Sequence, residues 1–374
     1  VDETTQLLSR QLGPEIRAEV DRLHSAYKRG ERAYPISVAC KKDEVLSKPK
    51  CRIFFNSSFA SIFLVRKYFL PIVRIMQMNP LLAECAVGVN AHSAEWEEMA
   101  KFMSKFEGKL GGDYSSYDTK LNSQLLLAAF SVLIDMAAEC DYSEQDLLIM
   151  RMMAADLVYP NIVYDGVLIE TWAGVHISGT PLTVIVNGID GSINYRCYYY
   201  HTIKDAWDKG VHFRDKIALL TYGDDNNGST PKDSGITIKG MSEFLAKYGQ
   251  LYTMPDKESE LTEYLPDAEV EFIKRKNSYI PEIDCTIGAL DPNSMWKMLH
   301  CYLRGRKAPL SEEQACAQNI DTVLLEAFNH GREFYDKTRT QMCEVANRAQ
   351  IAHLCDRLDE TFDYRADRWI QQYR

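Results

Sequence analysis

The chain has 374 residues, 46% hydrophobic and 26% charged, enough to bury a large core and to hold two or three subdomains. Its ten cysteines are scattered without a Cys-x-x-Cys pair or histidines at ligand spacing, which points to a reducing compartment and away from structural zinc. A net charge of -10 argues against a nucleic-acid partner if spread evenly, although a basic groove can coexist with an acidic exterior; no apolar run is long enough to span a bilayer, and no signal peptide is expected at the start.

Thr5 to Glu31 reads as largely helical, with Leu7, Leu8, Leu12, Ile16, Val20 and Leu23 at helical spacing and Pro14 breaking or kinking it. Strands are expected over Tyr34 to Cys40 and Ile53 to Phe55. Between them stand Lys41, Lys42, Lys48, Lys50 and Arg52. Such a run is either a solvated charge cluster or a two-stranded arm that carries cations to a phosphate-bearing ligand. Ser57 to Met78 and Ser93 to Phe106 read as core helices joined through Pro80.

A short strand ends near Asp113, and an amphipathic helix begins near Lys120 with Leu121, Leu125, Val132 and Met136 on one side. Asp113 and Asp118 are five apart and would not share a face on a continuous strand, but a strand turning into a helix brings both to one edge. Asp118 could equally be a helix cap. Ser143 to Val158 reads as a helix, and Asp165-Gly166 as the turn of a hairpin spanning Asn161 to Thr171. Next, a Ser178-Gly179 loop meets a helix with Pro181 in its first turn, and Thr183 and Asn187 stack on one face of it. A polar pair on an apolar helix needs partners, either within the protein or as readers of hydroxyls or bases.

Ile217 to Thr221 reads as a buried strand, Tyr222-Gly223-Asp224-Asp225 as a tight turn and Asn226 onward as the returning strand. Two adjacent carboxylates at a hairpin tip repel unless they share a proton or a cation intervenes, so a divalent metal is one explanation and a solvated turn the other. Ile238 to Tyr248 is a helix ended by Gly249. A strand and loop then carry Lys257, and Glu269 to Arg275 reads as a strand with a basic end. From Pro292 onward helical periodicity dominates, through Met295, Leu299, Leu303, Val323, Leu324, Ala327 and Phe328.

Taken in order, Asp-x4-Asp, Ser-Gly-x3-Thr-x3-Asn and Tyr-Gly-Asp-Asp resemble the palm and inner fingers of viral RNA-dependent RNA polymerases, most closely those of picornavirus-like positive-strand viruses. The resemblance covers Lys42 to Arg275, and the helical tail fits a thumb by position. It implies an α+β right hand with fingers, an antiparallel palm sheet and a helical thumb. The divisions would be partial fingers at 1–106, palm at 107–140, a fingers–palm connection at 141–176, palm at 177–280 and thumb at 281–374. The fingers look shortened at the N-terminus, and Leu46 stands where many relatives carry a basic residue.

The implied activity is template-directed RNA synthesis for viral genome replication and transcription. Asp113 and Asp224 would be the principal ligands of two Mg²⁺ ions, with Asp225 assisting and Mn²⁺ a possible substitute. Asp118 and Asn187 would sense the ribose 2′-hydroxyl, Ser178 and Thr183 would support that pocket, and Gly179 would let the loop flex. Lys42, Lys50 and Arg52 would grip the triphosphate, and Lys257 would protonate the leaving pyrophosphate. Phe272, Lys274 and Arg275 would brace the primer end. The implied partners are RNA template and primer, nucleoside triphosphates, a protein primer and other viral replication proteins, and the implied location is a membrane-associated replication complex in the host cytoplasm. Two rival readings are a reverse transcriptase and a catalytically silent scaffold; Gly223 before Asp224, and the Asp118 and Asn187 pair, favour RNA synthesis.

Overall fold

The computed structural model describes residues 12–42, 51–300 and 310–374, without the side chains of residues 118 and 119. Lys50, Leu46, Leu303, Leu7 and Leu8 therefore lie outside the described residues, as does the side chain of Asp118.

Helix α1 (Pro14–Lys28) starts at Pro14 instead of being broken by it, because the first helical position has no use for the N–H that proline lacks. Strands β1 (Ile36–Lys41) and β2 (Ile53–Asn56) pair antiparallel and form the basic arm. Helix α2 (Phe59–Met78) is capped by Ser58, whose hydroxyl accepts from the Ser61 N–H, and α3 (Pro80–Ala83) leads to α4 (Ala94–Met103).

Strand β3 (Gly108–Ser115) runs through a single turn, α5 (Tyr117–Lys120), into α6 (Ser123–Glu139). The buried stripe of α6 is Leu126, Ala129, Phe130, Leu133 and Ala137, not the expected one. Asn122 caps the helix, so Leu121 precedes it. Val132 is exposed, because α7 (Glu144–Val158) and α8 (Thr183–Thr202) cover α6 and set its buried arc. Between α7 and α8, β4 (Asn161–Tyr164) and β5 (Val167–Glu170) turn through Asp165 and Gly166 at φ +48° and +80°, the left-handed pair that a tight I′ hairpin needs. The four strands make one sheet, β2-β1-β4-β5, with β1 and β4 parallel. Pro181 falls just before α8 instead of in its first turn.

After α9 (Phe213–Lys216), β6 (Ala218–Tyr222) and β7 (Asp225–Thr230) form the acidic hairpin, followed by α10 (Ile238–Ala246) and β8 (Leu251–Thr253). These strands and β3 form a second, wholly antiparallel sheet, β6-β7-β3-β8, against which α8 packs.

The strand expected over Glu269 to Arg275 is not formed. Phe272 and Arg275 exchange two backbone hydrogen bonds of 3.0 and 2.9 Å, and Ile273 and Lys274 between them are left-handed at φ +48° and +58°. Two such residues reverse the chain, so β9 (Arg275–Ile280) starts where the expected strand would end and pairs with β10 (Cys285–Leu290). Helices α11 (Pro292–His300), α12 (Glu312–Phe328), α13 (Arg332–Arg348) and α14 (Phe362–Tyr373) complete this region. It has its own core, in which Ile280, Ile287, Met295, Val323, Tyr335 and Phe362 meet. Among the described residues no helix is long and apolar enough to cross a membrane.

Candidate active site

The β6–β7 hairpin turns on two residues, Gly223 and Asp224, with Tyr222 facing Asp225 across it. Gly223 sits at φ +66°, a region where a side chain is strained, so glycine is what lets the turn close this tightly. Gly112 faces Asn226 on the β3–β7 ladder; one step further, Asp113 comes beside Asp225. Asp225 is open to solvent on one side, yet the protein packed around it desolvates its carboxylate, and the charges of Asp224 and Asp113 repel it. These effects push Asp225 up to about 6, with Lys257 opposing them. The Lys257 ammonium lies 2.9 Å from Asp113 Oδ2, which links the loop after β8 to the acids.

Among the described residues no three His, Cys, Asp or Glu side chains already stand close enough to hold a metal ion. The donor chemistry nevertheless fits a hard divalent cation. The Asp225 carboxylate feels the charges of Asp224 and Asp113, and burial first, with that repulsion second, raises its proton affinity.

The Ser178-Gly179 loop packs against the basic arm. Ser178 Oγ accepts from the Phe55 N–H at 3.4 Å, and a Cβ at residue 179 would overlap the Phe55 carbonyl oxygen. Glycine is therefore required at 179 by close approach. The Thr183 hydroxyl donates within the loop, to Ile177 O at 3.0 Å and Thr180 O at 3.1 Å. Asn187 is 8% exposed, and its Oδ1 has no hydrogen-bond partner. Just beyond the Lys41–Ile53 pair of the arm the Lys42 N–H donates to Arg52 O at 2.8 Å, which sets these two basic residues opposite each other.

The three residues expected at the primer end are placed differently. Phe272 is 3% exposed and packs with Trp96, Met99 and Leu220 in a small core. Lys274 is in the turn. The Arg275 guanidinium donates to both Glu326 oxygens at 2.8 Å and to Gly288 O at 2.8 Å, so its charge is committed to α12 and β10 and does not face outward.

Sequence reading missed a buried network under the turn. Asn226 Oδ1 accepts from the Tyr252 hydroxyl at 2.7 Å and the Tyr195 hydroxyl at 2.9 Å, while its Nδ2 donates to Gly112 O at 3.2 Å. It thereby ties β7 to β3, β8 and α8 beneath the acids. Asp190, fully buried on α8, and His176, 1% exposed before the Ser-Gly loop, were missed too. Burial lowers His176 to about 4, so its ring is neutral at physiological pH. The available signal was an acid and a histidine set inside apolar runs.

Residues 3–350 match the family described as viral RNA-dependent RNA polymerase. The chain is 27% identical over 342 residues, 87% of its length, to the replicase polyprotein of Drosophila C virus, and 30% identical over 316 residues, 79% of its length, to the RNA1 polyprotein of cowpea mosaic virus. It spans 19% and 16% of those two polyproteins. In structure it is similar to the Sicinivirus 3Dpol RNA dependent RNA polymerase, with a TM-score of 0.73 and 16% identity, over 96% of this chain and 72% of that one. This likeness is one of fold, and it agrees with the α+β right hand implied by the motifs. The family match favours RNA copying over the reverse transcriptase. By the match of nearly its whole length, the chain belongs to the viral RNA-dependent RNA polymerases, the family that synthesises RNA on an RNA template.

Proposed function

We propose that this chain carries the catalytic centre for RNA-templated RNA synthesis in viral genome replication and transcription, with Mg²⁺ as the working ion and Mn²⁺ as a substitute. The family generally uses divalent metal ions. The observation that supports the proposal most is the crowding of Asp113, Asp224 and Asp225 where β3 meets the β6–β7 hairpin. Asp113 and Asp224 are the principal ligands in this reading, and Asp225 assists. Bound there, metal ions stabilise the charge that develops on the attacking 3′-hydroxyl and on the leaving pyrophosphate.

The remaining residues bind, orient and move protons. Lys257, already at the edge of the acids, gives a proton to the pyrophosphate. Asn187 and Asp118 contact the ribose 2′-hydroxyl, a group that both donates and accepts. Ser178, Gly179 and Thr183 hold the loop that supports them, against the arm whose Lys42, Lys50 and Arg52 take the triphosphate. Phe272 and Lys274 brace the primer end through the shape of their turn, and Arg275 does so through Glu326. The partners are template and primer RNA, nucleoside triphosphates, a protein primer and other replication proteins. The setting is a membrane-associated replication complex in the host cytoplasm, with fingers at 1–106, palm at 107–140 and 177–280, their connection at 141–176 and thumb at 281–374.

Primer extension on an RNA template with Mg²⁺ tests this reading, and ribonucleotides should be incorporated in preference to deoxyribonucleotides. Preferential DNA synthesis would favour a reverse transcriptase, and no synthesis by the full-length polymerase would favour a silent scaffold.

A further inference from the structure

Asn187 and Asp190 are three apart on α8, so their side chains are neighbours, with Cβ atoms about 5–6 Å apart. Both are enclosed, Asn187 at 8% exposed and Asp190 at 0%. Neither Asn187 Oδ1 nor either carboxyl oxygen of Asp190 has a hydrogen-bond partner in the protein. An amide oxygen only accepts, and so does an ionised carboxylate. As an anion, Asp190 would therefore leave three buried acceptors together without a donor. A carboxylic acid in the same place has an O–H to give.

The surroundings favour the acid. Burial pushes the Asp190 carboxyl well above the ordinary carboxylate range. Tyr114 on β3 and Tyr117 on α5, phenols that burial above all keeps neutral, lie within electrostatic reach of it, and both also feel the charge of Asp224. Tyr114 Oη makes no hydrogen bond to the carboxyl. Tyr117 Oη donates to the Asn187 carbonyl oxygen at 3.1 Å and so fixes the backbone of that residue.

We propose that Asp190 is a positioning residue for ribose selection: its carboxyl O–H donates to Asn187 Oδ1 and holds the amide with its NH₂ end toward the nucleotide. The proposal rests on the reading of Asn187 as a ribose contact. An amide is nearly symmetric in shape, and without a donor on Oδ1 it can turn over and present oxygen where nitrogen is needed. Asp190 itself touches no substrate and acts only through Asn187.

The test compares the parent polymerase with Asp190→Leu, Asp190→Asn and Asn187→Ala, reading kcat and KM for a ribonucleoside triphosphate and its 2′-deoxy analogue, with melting temperatures alongside. Asp190→Leu should lose about tenfold in ribose discrimination, mainly through a raised ribonucleotide KM, which is the scale of one hydrogen bond. Asp190→Asn keeps a donor and should stay within about twofold of the parent. A merely structural role would move the melting temperature and leave the discrimination ratio alone. Infrared difference spectra at neutral pH give a readout independent of activity: the parent should show a carboxylic-acid stretch that Asp190→Asn lacks. Unchanged discrimination in Asp190→Leu, equal losses in both Asp190 variants, or no such band would overturn the assignment. If Asn187→Ala relaxes discrimination and Asp190→Leu does not, only the role of Asp190 fails. If Asn187→Ala changes nothing, the ribose reading has failed and the role of Asp190 falls with it.

Discussion

Asp225 and Glu326 both lose hydration to the protein packed around them, and the chain treats them in opposite ways. Burial alone would raise Glu326, but hydrogen bonds from His92 and Arg275, and their charges, outweigh it and hold this carboxyl down at about 2. Asp225 is pushed up to about 6 by desolvation and by Asp224 and Asp113, with Lys257 opposing. The first is a completed ion-pair cluster that ties β9 to α12. The second is a carboxylate crowded by two others and by burial, an arrangement that suits a cationic ligand. The same residue types thus serve two ends, and the difference lies in whether cations or other carboxylates dominate around each acid.

The sharpest way to break this comparison is to remove an acid from the cluster at the hairpin. Asp224→Ala should cut single-nucleotide incorporation by about 10³-fold or more, since metal ions held there as proposed would supply several kcal/mol of charge stabilisation and about 1.36 kcal/mol is a factor of ten. The fold should stay intact, which a melting temperature recorded alongside checks. An Asp224→Ala protein that still incorporates nucleotides would contradict the metal assignment.

The balanced cluster should answer the other way. Glu326→Ala leaves the Arg275 guanidinium, 14% exposed, without its carboxylate and should cost about 3–5 kcal/mol in a denaturant titration. The pH dependence has a definite sign. The carboxyl of Glu326 lies at about 2 in the folded chain against 4.5 for an ordinary Glu, so its contribution is full above 4.5 and is lost as pH falls through about 2. Glu326→Gln should flatten that acid limb, and a parent melting temperature that does not decline across this window would count against the cluster.

Between these regions, Gly179→Ala tests how tightly the Ser-Gly loop is fitted to the arm. Because a Cβ would overlap the Phe55 carbonyl oxygen, one of the two backbones must move, at a cost of about 1–3 kcal/mol. Triphosphate KM should rise with it. A variant with unchanged stability would show that the loop can move freely.

What could be read in advance follows the range of the interactions concerned. The Asp165-Gly166 and Tyr222 to Asp225 turns are local chemistry, written in glycine and aspartate, and both hairpins stand where those residues put them. The turn at Ile273 and Lys274 has neither glycine nor asparagine to announce it. It forms because β10, α12 and the buried Phe272 fix both of its ends, so a strand was read where the chain reverses. The stripe on α6 was misread for a similar reason, since the packing of α7 and α8 decides which residues are covered. The pairing of Arg275 with Glu326 could not be read because its partner is 51 residues away, and Asp190 was passed over because only the packed structure shows that its oxygens are unanswered.

Thr183 and Asn187 bring the comparison down to two residues on one helix face, one satisfied within the protein and one not. The Thr183 hydroxyl donates to Ile177 O and Thr180 O, holding the start of α8 to the loop before it. Thr183→Val keeps the shape and removes the bond, so it should cost about 1 kcal/mol of stability. Discrimination between ribo- and deoxyribonucleotides should stay within about twofold, since one internal bond acts on the loop and not on the sugar. If Thr183→Val instead relaxes sugar choice as far as Asn187→Ala does, the loop and the ribose contact are a single unit. The line drawn between satisfied and unsatisfied groups would then have to be redrawn to place Thr183 with Asn187.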